Sequence, residues 1–579
     1  MTKVRTIFLF SALFFGLVSV LFAALAGEFI LYVVGVAIII GVTLYSFLTP
    51  TSERTLLVIL ILISMSLRYV PLIKVNQPLY EDPVFDMATA MEFQKNGAVS
   101  VLPFAAVPNV RDYSGFPLVH LLTISISAAT GLSLFDVFTY FPPFLDLVSI
   151  LFVYLLTRHI FGNPKIAALS GLIYATFSLN MFWLGTQIIR QAFAYPLALM
   201  AIYLFIKGGK TDKKMLALSL FSFAVLPIAH HLTAVEIFYI LGFTIVLATL
   251  SKYGKNIRFP FWKGSEKGQN PLKDDRFLFP VALWLFLGAS LFLYWTTYAR
   301  DIILPMFTGR FLTILHSVTS VSAAGGLSQY VGALRGSLNI IDILSNVRLL
   351  FLLVATVSGL VLLMKEKNRY RLLLYGLLLA PLPLLFIDVF LQHLADNRHA
   401  LFLLIPVFLL TANVVHRFDV SKSYKKIIFA ICLLIIIVPG PFKLFSTFDP
   451  APTYLYDKNA PYSFDSPQRR TFRNDLVLSG ASYIAQHANV NVITDYYSTF
   501  GLVFYYDPYK IVPMGRVITT NAEITTPQDI VALDVEIYTK RYVPLYLSHN
   551  LTSVVEDVDN FTSTANCIYN NGEFLAWKR

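Results

Sequence analysis

The chain has 579 residues, of which 56% are hydrophobic and 14% are charged, and its formal net charge is +11. Soluble domains carry about 25% charged residues, so this composition excludes an ordinary soluble protein. The basic residues are concentrated in short loops between apolar runs, which is typical of membrane orientation signals and excludes a nucleic-acid-binding surface.

Apolar runs of about 20 residues, the length that crosses a bilayer as a helix, recur along most of the chain. The sequence therefore predicts a polytopic α-helical membrane protein with about thirteen transmembrane helices. The predicted spans are residues 6–26, 28–48, 56–73, 136–157, 166–183, 188–206, 215–230, 232–250, 277–297, 346–364, 372–391, 399–414 and 427–440. The first span follows MTKVR without a small-residue cleavage site, so we interpret it as retained rather than as a signal peptide.

Basic clusters fix the predicted orientation of these spans. They lie in residues 207–214, 251–276 and 365–371, which the positive-inside rule places in the cytoplasm. Residues 117–134 are apolar enough for a further crossing, but that crossing would move the later basic loops outside. We therefore predict that residues 117–134 lie at the outer face, in the interface or dipping in and out of it. The N-terminus is then cytoplasmic and the C-terminus extracytoplasmic.

This orientation predicts two domains. Residues 1–440 would form the transmembrane domain, and residues 441–579 would form an extracytoplasmic soluble α/β domain. Two long outer loops would interrupt the transmembrane domain, at residues 74–135, with juxtamembrane helices, and at residues 298–345.

The tail shows patterns of β structure. Residues 491–506 predict a buried strand that runs into a helix, and residues 567–579 predict a terminal hairpin. Asn571-Gly572 is placed at the turn of that hairpin, because this dipeptide favours tight hairpin turns.

The first outer loop contains an acidic segment, residues 79–97. Asp82-Pro83 is a typical helix start and Asn96-Gly97 is a typical helix stop, so the segment predicts a short helix. Four apolar residues at helical spacing would form a stripe suited to a membrane surface. They are Val84, Met87, Ala88 and Met91.

The acidic residues of this segment have two interpretations. Asp82 could serve only as the cap of the helix, and Glu81 and Asp86 could form a solvated rim. Alternatively they could act in chemistry, because a loop held at the mouth of a rigid helix bundle is a common place for it.

The stretches YEDPVFDMATAMEFQKNG and GFPLVHLL resemble the first outer loop of GT-C membrane glycosyltransferases, such as the lipid A aminoarabinose transferases and protein O-mannosyltransferases. Two later stretches, residues 158–175 and 397–410, are similar to corresponding parts of the family. The resemblance implies a thirteen-helix fold and a sugar donor attached to polyprenyl phosphate. It places Asp82 at the position of the family's essential Asp and implies that Arg398 contacts phosphate.

The implied reaction needs one base. A lipid phosphate is a good leaving group, so the second carboxylate that glycoside hydrolysis requires is not needed. One carboxylate would remove the proton of the acceptor hydroxyl while that oxygen attacks the anomeric carbon from the opposite face, with inversion. Asp82 is the predicted base. Glu81 is the alternative, because the family has a Glu after its Asp, whereas here the Glu comes first.

The reaction also needs positive charge near the leaving phosphate. Arginine suits this role because its planar group binds two phosphate oxygens and keeps its proton. Arg398 and Arg190 lie at predicted outer ends of spans, and each has the alternative role of an interface anchor that extends towards the headgroups.

His230 and His231 lie at a predicted outer turn, with Glu236 one turn further on. They could orient phosphate or bind a divalent cation, which the chemistry does not require, or they could form a polar hinge. Tyr80 and Asp86 complete the predicted substrate-binding set. Asp146 lies within an apolar span, which predicts that it faces the bundle interior and pairs with a buried donor.

The sequence therefore predicts a membrane glycosyltransferase that acts at the outer face. Its partners would be a polyprenyl-phosphate-linked sugar, the bilayer, and a lipid, glycan or protein acceptor. The alternatives are a secondary transporter or flippase and a polysaccharide polymerase. Transporters tend to show repeated halves, and no repeat is visible in this chain.

Overall fold

The computed structural model describes most of the helical part of the chain and the strands of its tail. The described residues are 2–26, 28–75, 82–97, 115–177, 180–181, 184–208, 212–253, 275–299, 340–365, 370–383, 400–418, 423–442, 483, 492–494, 511–513, 530–534, 566–570 and 574–578. Two compact units are present. Unit 1 comprises Met1–Asn76 and Tyr140–Ala460, and unit 2 comprises Gln77–Thr139 and Pro461–Arg579.

The helices of unit 1 follow the predicted spans closely. They are α1 (Thr2–Ala26), α2 (Phe29–Leu48), α3 (Glu53–Val75), α7 (Pro142–Phe161), α8 (Pro164–Thr176), α9 (Arg190–Gly208), α10 (Lys213–Ala229), α11 (His231–Tyr253), α12 (Asp275–Thr297), α13 (Ile340–Lys365), α14 (Arg371–Leu379), α15 (Ala400–His416) and α16 (Ser423–Ile437). Unit 2 contains α4 (Asp82–Asn96), α5 (Leu118–Thr130) and most of α6 (Leu134–Tyr140).

Eight of the described helices are long and apolar enough to cross a membrane. The predicted class, a polytopic helical membrane protein, is confirmed at this level. Three further apolar helices, in α12, α14 and α15, are shorter than a full span. Thirteen crossings therefore remain a prediction.

Contacts within unit 1 join helix ends that the sequence assigns to the same side. At the predicted outer side, the Tyr32 hydroxyl donates to the Pro441 carbonyl oxygen at 2.6 Å. At the predicted inner side, Lys165 Nζ donates to the Phe47 carbonyl oxygen at 2.8 Å. These contacts place the start of α2 beside the end of α16, and the end of α2 beside the start of α8.

Two predicted span boundaries are wrong. The span placed at 136–157 begins at Pro142, because the pair Pro142-Pro143 fits the first turn of a helix, where no N–H is needed. The span placed at 166–183 ends at Thr176. Arg348 Nη1 donates to the Thr176 carbonyl oxygen at 2.9 Å and satisfies a group that further helix would have bonded.

Residues 117–134 form no single straight helix. Helices α5 and α6 meet at an angle of 109° across a break of three residues, 131–133. Only the two helices together are long and apolar enough to cross a membrane. Gly131 has φ +75°, a left-handed conformation that ends α5 at low steric cost. The bend fits the prediction of a segment that dips into the interface.

The tail in unit 2 contains a five-stranded sheet in the order β2-β1-β3-β5-β4. The strands are β1 (Val492–Thr494), β2 (Ile511–Pro513), β3 (Ile530–Asp534), β4 (Asn566–Asn570) and β5 (Phe574–Lys578). Strand β1 pairs in parallel with β2 and β3, and β5 pairs antiparallel with β3 and β4. The antiparallel pairing of the predicted terminal hairpin is confirmed, and its predicted turn at Asn571-Gly572 lies outside the described residues. The helix predicted after β1 lies outside the described residues, as do 254–274 of the basic loop and 300–339 of the second outer loop.

Candidate active site

The predicted helix of the acidic segment is confirmed as α4. It begins at Asp82 and ends at Asn96, and Gly97 follows with φ +64°, the conformation of a helix-terminating glycine. Pro83 occupies the first turn, where its missing N–H leaves no helical hydrogen bond unmade. The backbone of Asp82 is described but its side chain is not, and Glu81 and Tyr80 lie outside the described residues.

Asp86 is buried and hydrogen-bonded, so its interpretation as part of a solvated rim is wrong. Its side chain is 0% exposed, and its Oδ1 lies 2.8 Å from Nε2 of His120 on α5, which is also 0% exposed. The edge of the Phe93 ring meets the His120 ring at a centroid distance of 5.5 Å. These contacts hold α4 against α5. The sequence gives no signal for this pair, because 34 residues separate its members.

The predicted apolar stripe of α4 divides between two environments. Met87 and Ala88 are buried, whereas Met91 is 41% exposed. The side chain of Val84 is outside the described residues. Burial of Asp86 and Thr89 beside Met87 and Ala88 means that α4 is covered by protein around much of its circumference, which a helix lying on a membrane surface would not require.

Arg190 is the first residue of α9 and is only 9% exposed. Gln191, the next residue, and Gln187, three residues before Arg190, are buried as well. Such burial argues against an interface anchor, whose charged end would extend into the headgroup region. A guanidinium at the N-terminus of a helix, where free N–H groups also point outwards, is a suitable setting for an anionic group.

A buried ion pair joins α3, α7 and α8. Arg68 Nε donates to Asp146 Oδ2, and the Tyr174 hydroxyl donates to the other carboxylate oxygen at 2.6 Å. Arg68 Nη1 also donates to the carbonyl oxygens of Ser64, at 3.1 Å, and Ala175, at 3.2 Å. The predicted interior pairing of Asp146 is confirmed. Arg68 was missed by sequence reasoning, although an arginine inside the apolar run 56–73 is the signal that identifies it.

A substitution at Gly185 tests how tightly the Arg68–Asp146 ion pair is held. A Cβ at this position would lie 2.5 Å from Arg68 Nε, whose guanidinium is held in place by three hydrogen bonds. We expect Gly185→Ala to lower the free energy of unfolding by about 1–3 kcal/mol. The thermal unfolding midpoint of the protein in detergent measures this.

Gly41→Ala in α2 is the matched control for that substitution. A Cβ there meets nothing within 4 Å, and alanine in a helix interior is favoured over glycine by about 0.5–1 kcal/mol. An unfolding midpoint for Gly185→Ala equal to that for Gly41→Ala would contradict the expected steric conflict.

Arg348, near the start of α13, is a second buried arginine that sequence reasoning missed. It is 2% exposed, bonds the Thr176 carbonyl oxygen, and lies over the Phe177 ring at 4.8 Å from its centroid. Its signal in the sequence is an arginine within an apolar segment at a predicted outer end.

His230 lies between α10 and α11, and His231 is the first residue of α11, at the turn that the sequence predicts. His230 Nδ1 is 2.9 Å from Thr233 Oγ1 and accepts from the Thr233 backbone N–H at 3.3 Å, so it caps the start of α11. A nitrogen that accepts this bond is not free to bind a metal ion. Among the described residues, no group of three His, Cys, Asp or Glu side chains is arranged to hold a metal ion. These contacts favour the hinge interpretation of His230.

Among the residues that the structure describes in unit 1, three arginines and two carboxylates are buried near the predicted outer helix ends. The arginines are Arg68, Arg190 and Arg348, and the carboxylates are Asp146 and Glu236. Both carboxylates are close enough to the Tyr195 hydroxyl to interact with it electrostatically. The same hydroxyl donates to the carbonyl oxygen of Leu401 at 2.9 Å, which joins the starts of α9 and α15.

Arg398, three residues before Leu401 in the chain, lies outside the described residues. Its predicted role therefore stays a prediction. The described contacts bring together Arg68 and Asp146 within unit 1 and Asp86 and His120 within unit 2. Arg190, Arg348 and Glu236 are also buried in unit 1.

Comparisons with known proteins give matches among solved structures alone; no protein-family model and no curated protein matches the chain. The chain is similar to the crystal structure of ArnT from Cupriavidus metallidurans in the apo state, at 11% sequence identity and a TM-score of 0.48. It is also similar to the crystal structure of ArnT from Cupriavidus metallidurans bound to undecaprenyl phosphate, at 11% identity and a TM-score of 0.46. Each match covers 90% of this chain and 97% of the ArnT chain.

Proposed function

We propose that this chain is a membrane glycosyltransferase that moves a sugar from a polyprenyl-phosphate donor to an acceptor hydroxyl. The reaction takes place at the extracytoplasmic face, where the acidic loop and the outer ends of the helices lie in the predicted orientation. The acceptor is a lipid, a glycan or a protein. The N-terminus is cytoplasmic, and the C-terminal domain is extracytoplasmic.

The observation that carries the proposal is the buried positive charge of unit 1. Among the described residues, Arg68, Arg190 and Arg348 are buried near the predicted outer helix ends. A guanidinium keeps its proton, can bond two phosphate oxygens, and stabilises negative charge most strongly where little water is present. A lipid phosphate, at the depth where its polyprenyl chain enters the bilayer, is an anionic group that such arginines suit.

In the proposed mechanism, Asp82 is the general base and Glu81 is the alternative. The carboxylate takes the proton of the acceptor hydroxyl as that oxygen bonds to the anomeric carbon. The bond from the anomeric carbon to the phosphate oxygen breaks on the opposite face, so the configuration inverts. Arg398 and Arg190 stabilise the negative charge that develops on the leaving phosphate.

The other predicted site residues have supporting roles in this proposal. Asp86 holds α4 in place through His120. His230 shapes the turn at the start of α11, and His231 and Tyr80 line the donor site. A divalent cation is not required, because arginines supply the positive charge.

The test is transfer by the purified protein in detergent, where no gradient across a membrane exists. Synthetic polyprenyl-phosphate donors that carry a radiolabelled hexose or pentose are incubated with the protein and extracted membrane acceptors. Transfer of label to an acceptor is expected. If no donor of either sugar class gives transfer, while the same protein in vesicles moves the lipid-linked sugar across the bilayer, the chain is a transporter or flippase.

Arg398→Lys is expected to lower kcat/KM roughly 10-fold or more, because lysine cannot form the two parallel bonds that arginine makes to phosphate. Arg190→Lys should have an effect of the same kind. Initial rates at varied donor concentration measure both. Arg54→Lys is the control. Arg54 is exposed and lies at the start of α3, the end predicted to be cytoplasmic, so this substitution should leave the kinetics unchanged. Normal kinetics for Arg398→Lys would return that residue to the role of an interface anchor.

A further inference from the structure

The contact between α4 and α5 fixes how α4 is turned about its own axis. Asp86 on α4 and His120 on α5 are both 0% exposed, with 2.8 Å between Oδ1 and Nε2. A carboxylate oxygen accepts hydrogen bonds and a ring N–H donates them, so Nε2 of His120 is the donor to Asp86 in this contact. The Phe93 ring, two turns further along α4, meets the same imidazole at 5.5 Å. Two points on one helix therefore contact one side chain.

Asp82 lies one helical turn before Asp86 on the same helix. Residues four apart on an α-helix share a face, and about 6 Å of axial rise separates them. A constraint on Asp86 therefore sets the direction in which position 82 faces. If α4 turned by one residue, position 82 would rotate by about 100° about the helix axis.

The environment of the pair makes this constraint strong. Asp86, Met87, Ala88, Thr89 and Ala90 are all buried, so α4 cannot turn without exchanging packed side chains. A buried carboxylate that loses its hydrogen-bond partner pays a large desolvation penalty, so alternative settings of the helix are disfavoured.

We propose that His120 is a positioning residue for the general base: it fixes Asp86, and through Asp86 it fixes the rotation of α4 about its axis and so the direction in which position 82 of the helix faces. This inference rests on the proposed function, because it assigns His120 a task in the transfer reaction. His120 itself touches neither donor nor acceptor. It acts on the rate through the geometry of the base.

Two amide substitutions of His120 test the proposal. In His120→Gln the side-chain amide nitrogen can reach the place of Nε2 and donate to Asp86. In His120→Asn it stands near the place of Nδ1 and cannot reach. Both variants put an amide of similar polarity into the same buried position, so they differ mainly in that one hydrogen bond. His120→Phe serves as a third variant, which keeps a ring against Phe93 and removes the donor.

We expect kcat to fall in the two variants that lose the hydrogen bond to Asp86 and to be kept in the variant that retains it. His120→Asn and His120→Phe should lower kcat about 10- to 100-fold, the range caused by a displacement of about 1 Å in a reacting group. Their KM for the lipid donor should change less than about 3-fold, because the phosphate-binding arginines are untouched. His120→Gln should keep kcat within about 3-fold of wild type. Equal loss in all three variants, or wild-type kcat in all three, would overturn the proposal.

A second measurement does not depend on activity. Asp82→Cys in a Cys567→Ser background is labelled with a maleimide, and the labelling rate is compared with and without a change at His120. The rate at position 82 should change when His120→Asn is added and stay constant when His120→Gln is added. Ser133→Cys, an exposed position outside α4, is the control and should keep one rate throughout.

The two measurements separate failure of the positioning role from failure of the proposed function. If the wild-type protein transfers no sugar while the labelling rates divide as expected, the reaction is wrong and the constraint on α4 stands. If transfer occurs and the labelling rates are equal in every His120 background, the positioning role of His120 is wrong and the proposed function stands.

Discussion

Asp82→Asn is expected to abolish sugar transfer and to leave protein abundance nearly unchanged. Asparagine cannot take a proton from the acceptor hydroxyl, and loss of general-base help costs roughly 10²–10⁴-fold in rate. Asparagine is as good as aspartate at the start of a helix, so α4 should form as before. Turnover of the purified variant, normalised to its amount in size-exclusion chromatography, measures the effect.

Glu81→Gln is the matched control for this experiment. It makes the same chemical change at the neighbouring residue, which precedes the start of α4 rather than opening it. We expect it to retain most of the activity. If Asp82→Asn keeps wild-type turnover and Glu81→Gln does not, the base is Glu81, and the resemblance at this position is displaced by one residue.

The helices could largely be predicted from the sequence because hydropathy is a local signal. Each of the thirteen predicted spans overlaps a helix of the structure, and the start and stop of α4 follow from Asp82-Pro83 and Asn96-Gly97. These features depend on residues within one or two turns of each other. Length and local chemistry are sufficient to place them.

Helix ends that depend on residues distant in the chain could not be predicted from hydropathy and local sequence. Helix α8 stops at Thr176. The carbonyl oxygen of Thr176 meets Arg348, 172 residues later in the chain, and lies against Gly440, where an added Cβ would overlap it. Hydropathy extends the same span to residue 183, because the residues after Thr176 are still largely apolar. Tertiary contact overrides the local preference there.

The sequence predicted that a buried charge has a partner, but it did not identify that partner. Asp146 was expected to have a buried partner because an unpaired carboxylate in an apolar span is too costly. Its partner, Arg68, lies 78 residues earlier, and several arginines at predicted span ends were equally available. The pairing of Asp86 with His120 was hidden for the same reason: a sequence shows which side chains need partners and does not show which helices meet.

The Arg68–Asp146 pair gives the largest expected effect on stability. Both side chains are 0% exposed, and Tyr174 completes the hydrogen bonding of the carboxylate. Asp146→Leu would leave the Arg68 guanidinium charged and buried beside an apolar group. Removal of one partner from such a pair costs about 3–5 kcal/mol, so we expect a large fall in the thermal unfolding midpoint in detergent.

The double variant Arg68→Met, Asp146→Leu separates the charge effect from the packing effect. With both charges gone, no buried group is left unpaired, and replacement of a whole buried pair by apolar side chains is often neutral or stabilising by about 1–4 kcal/mol. We therefore expect the double variant to unfold at a higher temperature than Asp146→Leu alone. If both unfold at the same reduced temperature, the loss reflects packing at position 146 rather than an unpaired charge.

The other end of the same helices supplies the control. Glu53 on α3 and Arg158 on α7 form an ion pair at 3.1 Å, but their side chains are 44% and 37% exposed. Solvent-exposed pairs contribute about 0–1 kcal/mol, so Arg158→Leu should lower the unfolding midpoint far less than Asp146→Leu does. Both ion pairs join α3 to α7, so the difference between the two variants isolates the effect of burial on an unpaired charge. If Arg158→Leu and Asp146→Leu lower the unfolding midpoint equally, burial of the Arg68–Asp146 pair does not make its loss more costly, which contradicts this expectation.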